Sequence, residues 1–487
     1  MIDIKIKIHD KFAIEFKFAY KARRKVKNDV FSLNTWIFVP NSLDINSATY
    51  NREDFYKDIR TNIRLITPVF LFREIASGNA VPLNNLKTAM EQLASDPTRT
   101  NLGEYEYQIK MFSVIFKSSL RNHIEYIFDS VQSDKKKLFD EVLINVQDIL
   151  TKYKELSHII KTPTVSQENF NYFLFGYEFM SNLVEKELCR AIVKMEEKSP
   201  KLDIDFESKV LDILEKERQY KIANNFAVAD PDSTNKNSDF IFRLGALKKY
   251  IESDLFLDAK KKRDGVLVEQ IYYSLAAGLA MIFATSVAFA FQNKFGNFTM
   301  PLFVALVISY MLKDRIKDLM RYYFAHKKST KYFDNKTHVS IKDKEIGFSK
   351  ESFDFVSETK VPVSVMKVRN RIPLIEADNR FYKEKIILFR KIVNIDRDAL
   401  SQNANYNVDG VVEIIRLNML SFMRKTDNPE FTLHVPDESN SIKQITGIRN
   451  YYMNIVLQSK YENTETIQRF RIIFNRNGIC DINEICL

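Results

Sequence analysis

Apolar residues at the start of the chain fall on every second position: Ile2, Ile4, Ile6 and Ile8, then Phe12, Ile14, Phe16 and Phe18. A period of two sets one side of an extended chain against a core, so this segment predicts two strands joined near Asp10 and Lys11. A third strand is predicted at SLNTWIFVP, which carries the single tryptophan, Trp36. From about Asn51 to Asn225 the rhythm becomes three and four, the spacing of helices with one buried face. Pro82, Thr98 or Thr100, Ser133 or Asp134, and Ser166 are candidate helix starts. Leu138, Val142, Val146 and Leu150 form a fourfold stripe, and NFNYFLFGYEFM puts Phe170, Phe173 and Tyr177 on one face and Tyr172, Phe175 and Phe179 on another. These faces predict the core of a bundle of long antiparallel helices.

After Thr337 short alternating runs return: HVSIKDKEIGF, KVPVSVMKV, KEKIILFRKIVNI, GVVEIIRLNML, FTLHV, RNYYMNIVLQSKY and TIQRFRIIF. Turn formers divide them, among them Asp409-Gly410 and the hairpin signal Asn477-Gly478. Seven or eight strands in a sandwich or open barrel are expected. The polar stretch 224–239 reads as a linker ahead of this part.

One stretch follows neither rhythm. Ile271 to Leu312 holds a single charged residue, Lys294, in a chain that is 28% charged. The first part, 271–291, is long enough as a helix to cross a hydrocarbon layer of about 30 Å. A polar link separates it from a shorter second run at 296–312, which becomes credible as a span because a chain that has crossed once must return or leave the remainder outside. The competing reading is a pair of core helices, apolar all round, in a large soluble domain.

Charge favours the membrane. The net charge is +10, and most of it lies in two segments, 245–263 and 313–331, flanking the apolar stretch. Lys260, Lys261, Lys262 and Arg263 precede the first span, and Lys313, Arg315, Lys317 and Arg321 follow the second. The positive-inside bias puts both flanks, and both termini, in the cytosol, with the basic groups facing anionic headgroups. Read this way, the excess charge no longer points to nucleic acid, although the run Lys21, Arg23, Arg24, Lys25 and Lys27 is a second basic cluster.

Small residues recur within the spans: Ala280, Ala284 and Ala288 at fourfold spacing with Ser274 and Gly278 nearby, then Ala305 and Ser309. Such faces let helices approach closely in lipid, either within the hairpin or between copies in a homo-oligomer. No ionisable residue lies inside either span, which argues against a transporter.

No reaction is legible. The glycines form no dinucleotide or phosphate loop, and the six histidines, including His9 and His123, show no ligand spacing. Cys189, Cys480 and Cys486 are too few for a disulfide framework and lack partners for a zinc site. No signal peptide is visible at the start of the sequence, and the weight of Lys, Asn, Ile and Phe suggests an A+T-rich bacterial genome.

The expectation is therefore an α+β membrane protein. It comprises N-terminal strands (1–45), a cytosolic helical bundle (46–225), a linker and basic approach (226–264), a transmembrane hairpin with a basic exit helix (265–330) and a β-rich cytosolic domain (335–487). It is expected in the cytoplasmic membrane as a multi-pass protein without cofactor or metal, presenting its modules to an unknown cytosolic protein partner as scaffold or sensor. The alternatives are an oligomeric effector or pore that perturbs the bilayer, and a tethered hydrolase or nuclease whose site leaves no local motif.

Overall fold

The computed structural model describes residues 2–22, 27–78, 80–129, 135–198, 204–296, 299–331, 333–370, 384–436 and 441–485. Strands β1 (Ile2–Asp10), β2 (Ala13–Lys21) and β3 (Asn28–Val39) come first, followed by α1 (Arg52–Asp58) and β4 (Ile59–Leu65). A run of helices follows: α2 (Phe72–Ser77), α3 (Val81–Ser95), α4 (Arg99–Asp129), α5 (Lys135–Glu155), α6 (Ser157–Ile160), α7 (Gln167–Lys198), α8 (Ile204–Ala223) and α9 (Thr234–Glu252). Then come β5 (Asp258–Arg263), α10 (Val266–Phe295), α11 (Met300–Lys331), β6 (Asn335–Ile341), β7 (Lys344–Val356), α12 (Val363–Arg369), β8 (Lys385–Asp396) and α13 (Arg397–Asn403). The chain ends with β9 (Gly410–Asn418), α14 (Leu420–Met423), β10 (Glu430–Pro436), β11 (Ile442–Ile448), β12 (Tyr451–Tyr461), β13 (Thr464–Asn475) and β14 (Gly478–Ile485). Two compact units result: 1–63 with 258–405 and 409–487, and 64–257 with 406–408.

The second unit is helical. Pro82 stands in the first turn of α3, Thr98 caps α4 through the Asn101 amide (3.3 Å), and Ser166 caps α7 through the Asn169 amide (3.3 Å). Ser133 and Asp134 lie outside the described residues. Val142, Val146 and Leu150 of the predicted stripe are buried, as are Phe173, Tyr177 and Phe179. Gly176 is needed for close approach: a Cβ there would sit 2.5 Å from the Tyr153 hydroxyl and 2.7 Å from Ile109. The stretch 224–239 joins α8 to α9 inside this unit, with Phe226 buried and packed toward Tyr177 and Tyr220. α9 is fixed to α7 by a bidentate Arg243–Glu178 pair, both bonds 2.6 Å.

The first unit is built on antiparallel sheets. Eight strands run in the order β14-β13-β12-β3-β8-β7-β6-β5, four in the order β1-β2-β9-β4, and β10 pairs with β11 alone. The N-terminal strands thus belong to the same sheets as the C-terminal ones. In β2 the period of two holds, with Ile14, Phe16, Phe18 and Tyr20 all buried, whereas in the edge strand β1 Ile2, Ile4 and Ile6 are half-buried and Ile8 is exposed. The two large sheets share a core in which Tyr20 of β2 meets Phe31 of β3 at 5.3 Å and Phe55 of α1 packs on Phe353 and Phe389. Gly410 opens β9 at φ +153°, where a Cβ would lie 2.0 Å from the Tyr20 carbonyl oxygen. The hairpin signalled by Asn477-Gly478 forms one residue earlier than the signal: Arg476 and Asn477 make the turn, and Gly478, at φ +150°, opens β14 opposite Asn475. KVPVSVMKV is not a strand: α12 begins after Pro362, and its buried Val365 and Val368, with Val361 just ahead of the helix, pack in one cluster with Trp36 and Phe38.

α10 and α11 form an antiparallel helical hairpin. Among the described residues α10 alone is long and apolar enough to cross a membrane, and only 11% of its most apolar stretch is buried. A core helix is mostly covered, and within this chain α10 is not. α11 does not meet the same measure, because its apolar part from Met300 to Leu312 extends only about 20 Å before Lys313 begins the charged half of the same unbroken helix.

Candidate functional site

The hairpin is an insertion between two paired strands. β5 pairs antiparallel with β6, with Arg263 opposite Asn335, so the chain leaves for α10 and returns from α11 at one point on the sheet edge. The Asp264 amide donates to the Asp334 carbonyl (3.1 Å), and the Asp334 amide donates to the Glu351 carbonyl (2.8 Å). Gly265 turns the chain into α10 at φ +69°, a left-handed conformation that glycine adopts without strain. The Asp334 carboxylate accepts hydrogen bonds from Tyr56 Oη (3.0 Å) and the Phe353 amide (2.8 Å) and pairs with Arg52 at 2.9 Å. Lys350 pairs with Asp264 at 3.0 Å. These bonds clamp both feet of the hairpin to β7 and α1.

The predicted basic flanks therefore have unequal surroundings. Lys260 to Arg263 lie in β5, an exposed edge strand, where lysines also discourage edge-to-edge pairing. Lys261 pairs with the buried carboxylate of Glu351 and lies over the Tyr56 ring at 4.5 Å. Arg263 sits 3.6 Å from Glu269, an acid in the first turn of α10. Lys260 and Lys262 lie opposite His338 and Lys336, which gathers cations on one side of the edge. On α11, Lys313 covers Tyr310 at 4.0 Å and Arg321 covers Tyr273 of α10 at 5.2 Å. Arg315 is exposed and Lys317 half-buried. Arg23, Arg24 and Lys25 of the N-terminal cluster lie outside the described residues, as does Cys486.

The small residues divide in two. Ala280, Ala305 and Ser309 are buried between the helices, together with Ala276, and Ser309 Oγ donates to the Ala284 carbonyl at 3.3 Å. Ala288 is half-buried. Ser274 and Gly278 are exposed, and a Cβ on Gly278 would meet nothing within 4 Å.

Behind the clamp lies an ion chain that no contiguous motif in the sequence marks. Lys391 of β8 is 1% exposed and contacts Glu413 of β9 and, at 3.4 Å, Glu351 of β7. Glu413 also accepts from Tyr20 Oη at 3.2 Å, and Glu351 also holds Lys261. Burial disfavours the Lys391 ammonium, but the two carboxylates outweigh it and raise its pKa above the ordinary lysine value. Burial likewise raises Glu351, yet two lysines prevail and lower it; Glu413 has one lysine, and there burial wins, raising its pKa. A signal for this set existed, because each ionisable residue occupies the inward phase of an apolar alternation: Phe389, Lys391, Val393 in β8, Val411, Glu413, Ile415 in β9, and Ser349, Glu351, Phe353 in β7.

With every charge paired, this arrangement is a structural tie and has no open position for a substrate. Elsewhere, His9 lies 3.6 Å from Glu15, and His123 packs on Phe72, where burial lowers its pKa. Among the described residues no group of three or more His, Cys, Asp or Glu is placed to hold a metal ion. No protein-family model, curated protein or solved structure matches this chain.

Proposed function

We propose that the protein is a membrane-anchored scaffold or sensor: α10 and α11 enter the bilayer as a two-crossing hairpin, and the strand-rich and helical units remain on the cytosolic side to engage a protein partner. The observation that carries this reading is an exposed apolar helix, α10, set on the sheet edge by a clamp that returns α11 to the same place. Both feet then share one face of the membrane, which is what basic residues on both flanks call for. Lys260, Lys262 and Lys336 supply cations for anionic headgroups at that level. The test is alkaline extraction of membranes combined with reporter fusions at the two termini. Retention in the pellet with both reporters cytosolic is expected; release into the supernatant, or a terminus outside, overturns the proposal.

A second reading, assembly of several copies, is favoured by Ser274 and Gly278, whose face of α10 is left uncovered by α11. Cross-linking of the protein in native membranes should give discrete oligomers that Gly278→Leu abolishes. Oligomers that persist in the Leu variant would place the interface elsewhere.

A further inference from the structure

Strand β1 is the margin of the four-stranded sheet, and its outer side has no ladder partner among the described residues. Over residues 2–7 it is regular, because the irregularity in its pairing with β2 falls later, between Ile8 and Asp10. β14 comes up against the β1–β2 turn, where the Ile479 amide donates to the Lys11 carbonyl at 2.9 Å, but it forms no ladder with β1. The amides and carbonyls that β1 turns away from β2 are a template for another strand. Exposed edges are commonly blunted by proline, a bulge, short length or an inward-pointing charge, and residues 2–7 have none of these.

The side chains of β1 sort by face. Ile2, Ile4 and Ile6 stand opposite Tyr20, Phe18 and Phe16, all buried, yet are themselves half-buried at the open margin. Asp3, Lys5 and Lys7 share the other face and are exposed. Lys7 is paired with Glu15 at 3.0 Å. Asp3 and Lys5 form no ion pair among the described residues. Lys5 also lies directly opposite Lys17 of β2, and like charges so placed weaken a ladder. The edge thus carries one unmatched acid and one unmatched base, two residues apart.

We infer that β1 pairs with β1 of a second copy, antiparallel about a two-fold axis at Ile4. Self-pairing about a residue keeps the isoleucines of both copies on one face, and the charges then choose which residue it is. Centring on Asp3 or on Lys5 sets that residue against its own counterpart, and centring on Ile6 sets Lys5 against Lys7. Centring on Ile4 instead sets Asp3 against Lys5 on both sides of the axis and lines up Ile2 with Ile6. Each unmatched charge finds its opposite, the carboxylate offsets the Lys5–Lys17 repulsion, and the isoleucines lose their open side. One sheet then runs through both copies, an isologous contact that closes on itself. The segment used, residues 2–6, stops short of the turn that β14 abuts. The inference does not rest on the anchoring reading, and it differs from assembly through α10 in joining sheets rather than hairpins.

Sedimentation equilibrium of the full chain in density-matched detergent micelles reads the contact. Every chain measured also carries Gly278→Leu, so that assembly through α10 does not contribute. The reference chain should be a dimer. Asp3→Lys sets lysine against lysine on both sides of the axis, and Lys5→Asp sets acid against acid. Each should weaken the dimer about tenfold, the effect of turning two favourable cross-strand pairs into two repulsive ones. Both positions are exposed and without ion-pair partners, so circular dichroism of the variants should match the reference. Asp3→Lys combined with Lys5→Asp restores opposite charges in exchanged places and should recover most of the loss. The inference is overturned if the reference chain is monomeric at about 100 µM, where even a weak dimer is populated. It is overturned equally if either single variant associates as the reference does, or if the combined variant associates no more tightly than the single ones.

Discussion

Replacing Lys391 with Met tests whether the ion chain holds the two large sheets together. In the parent protein the Lys391 ammonium lies between Glu413 and Glu351, all three side chains 1–5% exposed. Without it Glu351 keeps Lys261, but Glu413 is left as a buried carboxylate facing Tyr20 Oη. Removing one partner of a buried pair costs about 3–5 kcal/mol, because the remaining charge is stranded, whereas replacing both by apolar groups is often neutral. Lys391→Met should therefore lose about 3–5 kcal/mol, and adding Glu413→Leu should recover most of it. The residue then left unpaired is the Tyr20 hydroxyl, worth about 1–3 kcal/mol, which a further Tyr20→Phe should return. Urea unfolding followed by tryptophan fluorescence reads this out selectively, since Trp36 is the single tryptophan and stands on β3 in the eight-stranded sheet. The reasoning fails if the single variant loses less than about 1 kcal/mol, or if the double variant is less stable than the single one.

Acidification gives an independent check. Glu351 has a lowered pKa in the folded protein, so its contribution is present above the unfolded value of about 4.3 and is lost as pH falls through the folded value. Glu351→Gln should flatten the acid limb of a melting-temperature profile, and an unchanged limb would count against the pairing. Asp334→Ala removes the acceptor shared by Arg52, Tyr56 and the Phe353 amide. Because hydrogen bonds to a charged group contribute about 1.5–3 kcal/mol each, hydrogen exchange at the feet of α10 and α11 should rise well above that of the parent. Gly410→Ala sets a Cβ against the Tyr20 carbonyl and should cost more than about 2 kcal/mol by urea unfolding, from strain and a broken β2–β9 ladder. Ala280→Leu should overpack the hairpin by about 1–3 kcal/mol, seen as a lower melting temperature in micelles.

What could be read from the sequence was local. The alternation in β2, the caps at Thr98 and Ser166, and the presence, to within one residue, of the hairpin between β13 and β14 rely on neighbours within a few residues. What could not be read depends on partners far along the chain. β3 lies between β8 and β12, pairing Trp36 with Leu388 and Val456, and nothing near Trp36 encodes either choice. β5 is DAKKKR, with no alternation of apolar residues, and it is a strand because β6 offers its free edge. The basic flank before α10 therefore read as an approach to the membrane while its strand pairing went unseen. Lys391, Glu351 and Glu413 show the opposite case, since their inward phase was visible and a search confined to contiguous motifs passed over it.

On the proposed membrane reading, the depth to which the hairpin would enter follows from its register. Ser309 lies level with Ala284 and Arg321 with Tyr273, so Lys313, Arg315 and Lys317 are level with α10 residues near Ala276 to Ala280. Measured from the tip, the length apolar on both helices is only about 20 Å, and a full crossing of about 30 Å draws those three cations inside the inner boundary. Two placements compete. A shallow insertion keeps Lys313 to Lys317 in water but leaves the tip in hydrocarbon, where Gln292, Asn293 and Lys294 and the break between α10 and α11 would lie. Irregular backbone facing lipid does not occur at that depth, and a cation at the bilayer centre costs about 2.5–3.5 kcal/mol or more. A full crossing instead asks three long side chains near the inner boundary to reach the headgroups, which lysine and arginine do at small cost, and carries Asp314, flanked by Lys313 and Arg315, to the same level. If the hairpin enters a bilayer as proposed, these costs favour the crossing, and it makes a definite prediction. In a protein whose native cysteines are replaced by serine, Asn293→Cys should react with a membrane-impermeant maleimide added outside intact cells. Labelling that appears only after permeabilisation would refute the crossing and leave a hairpin that enters and leaves from the cytosolic face.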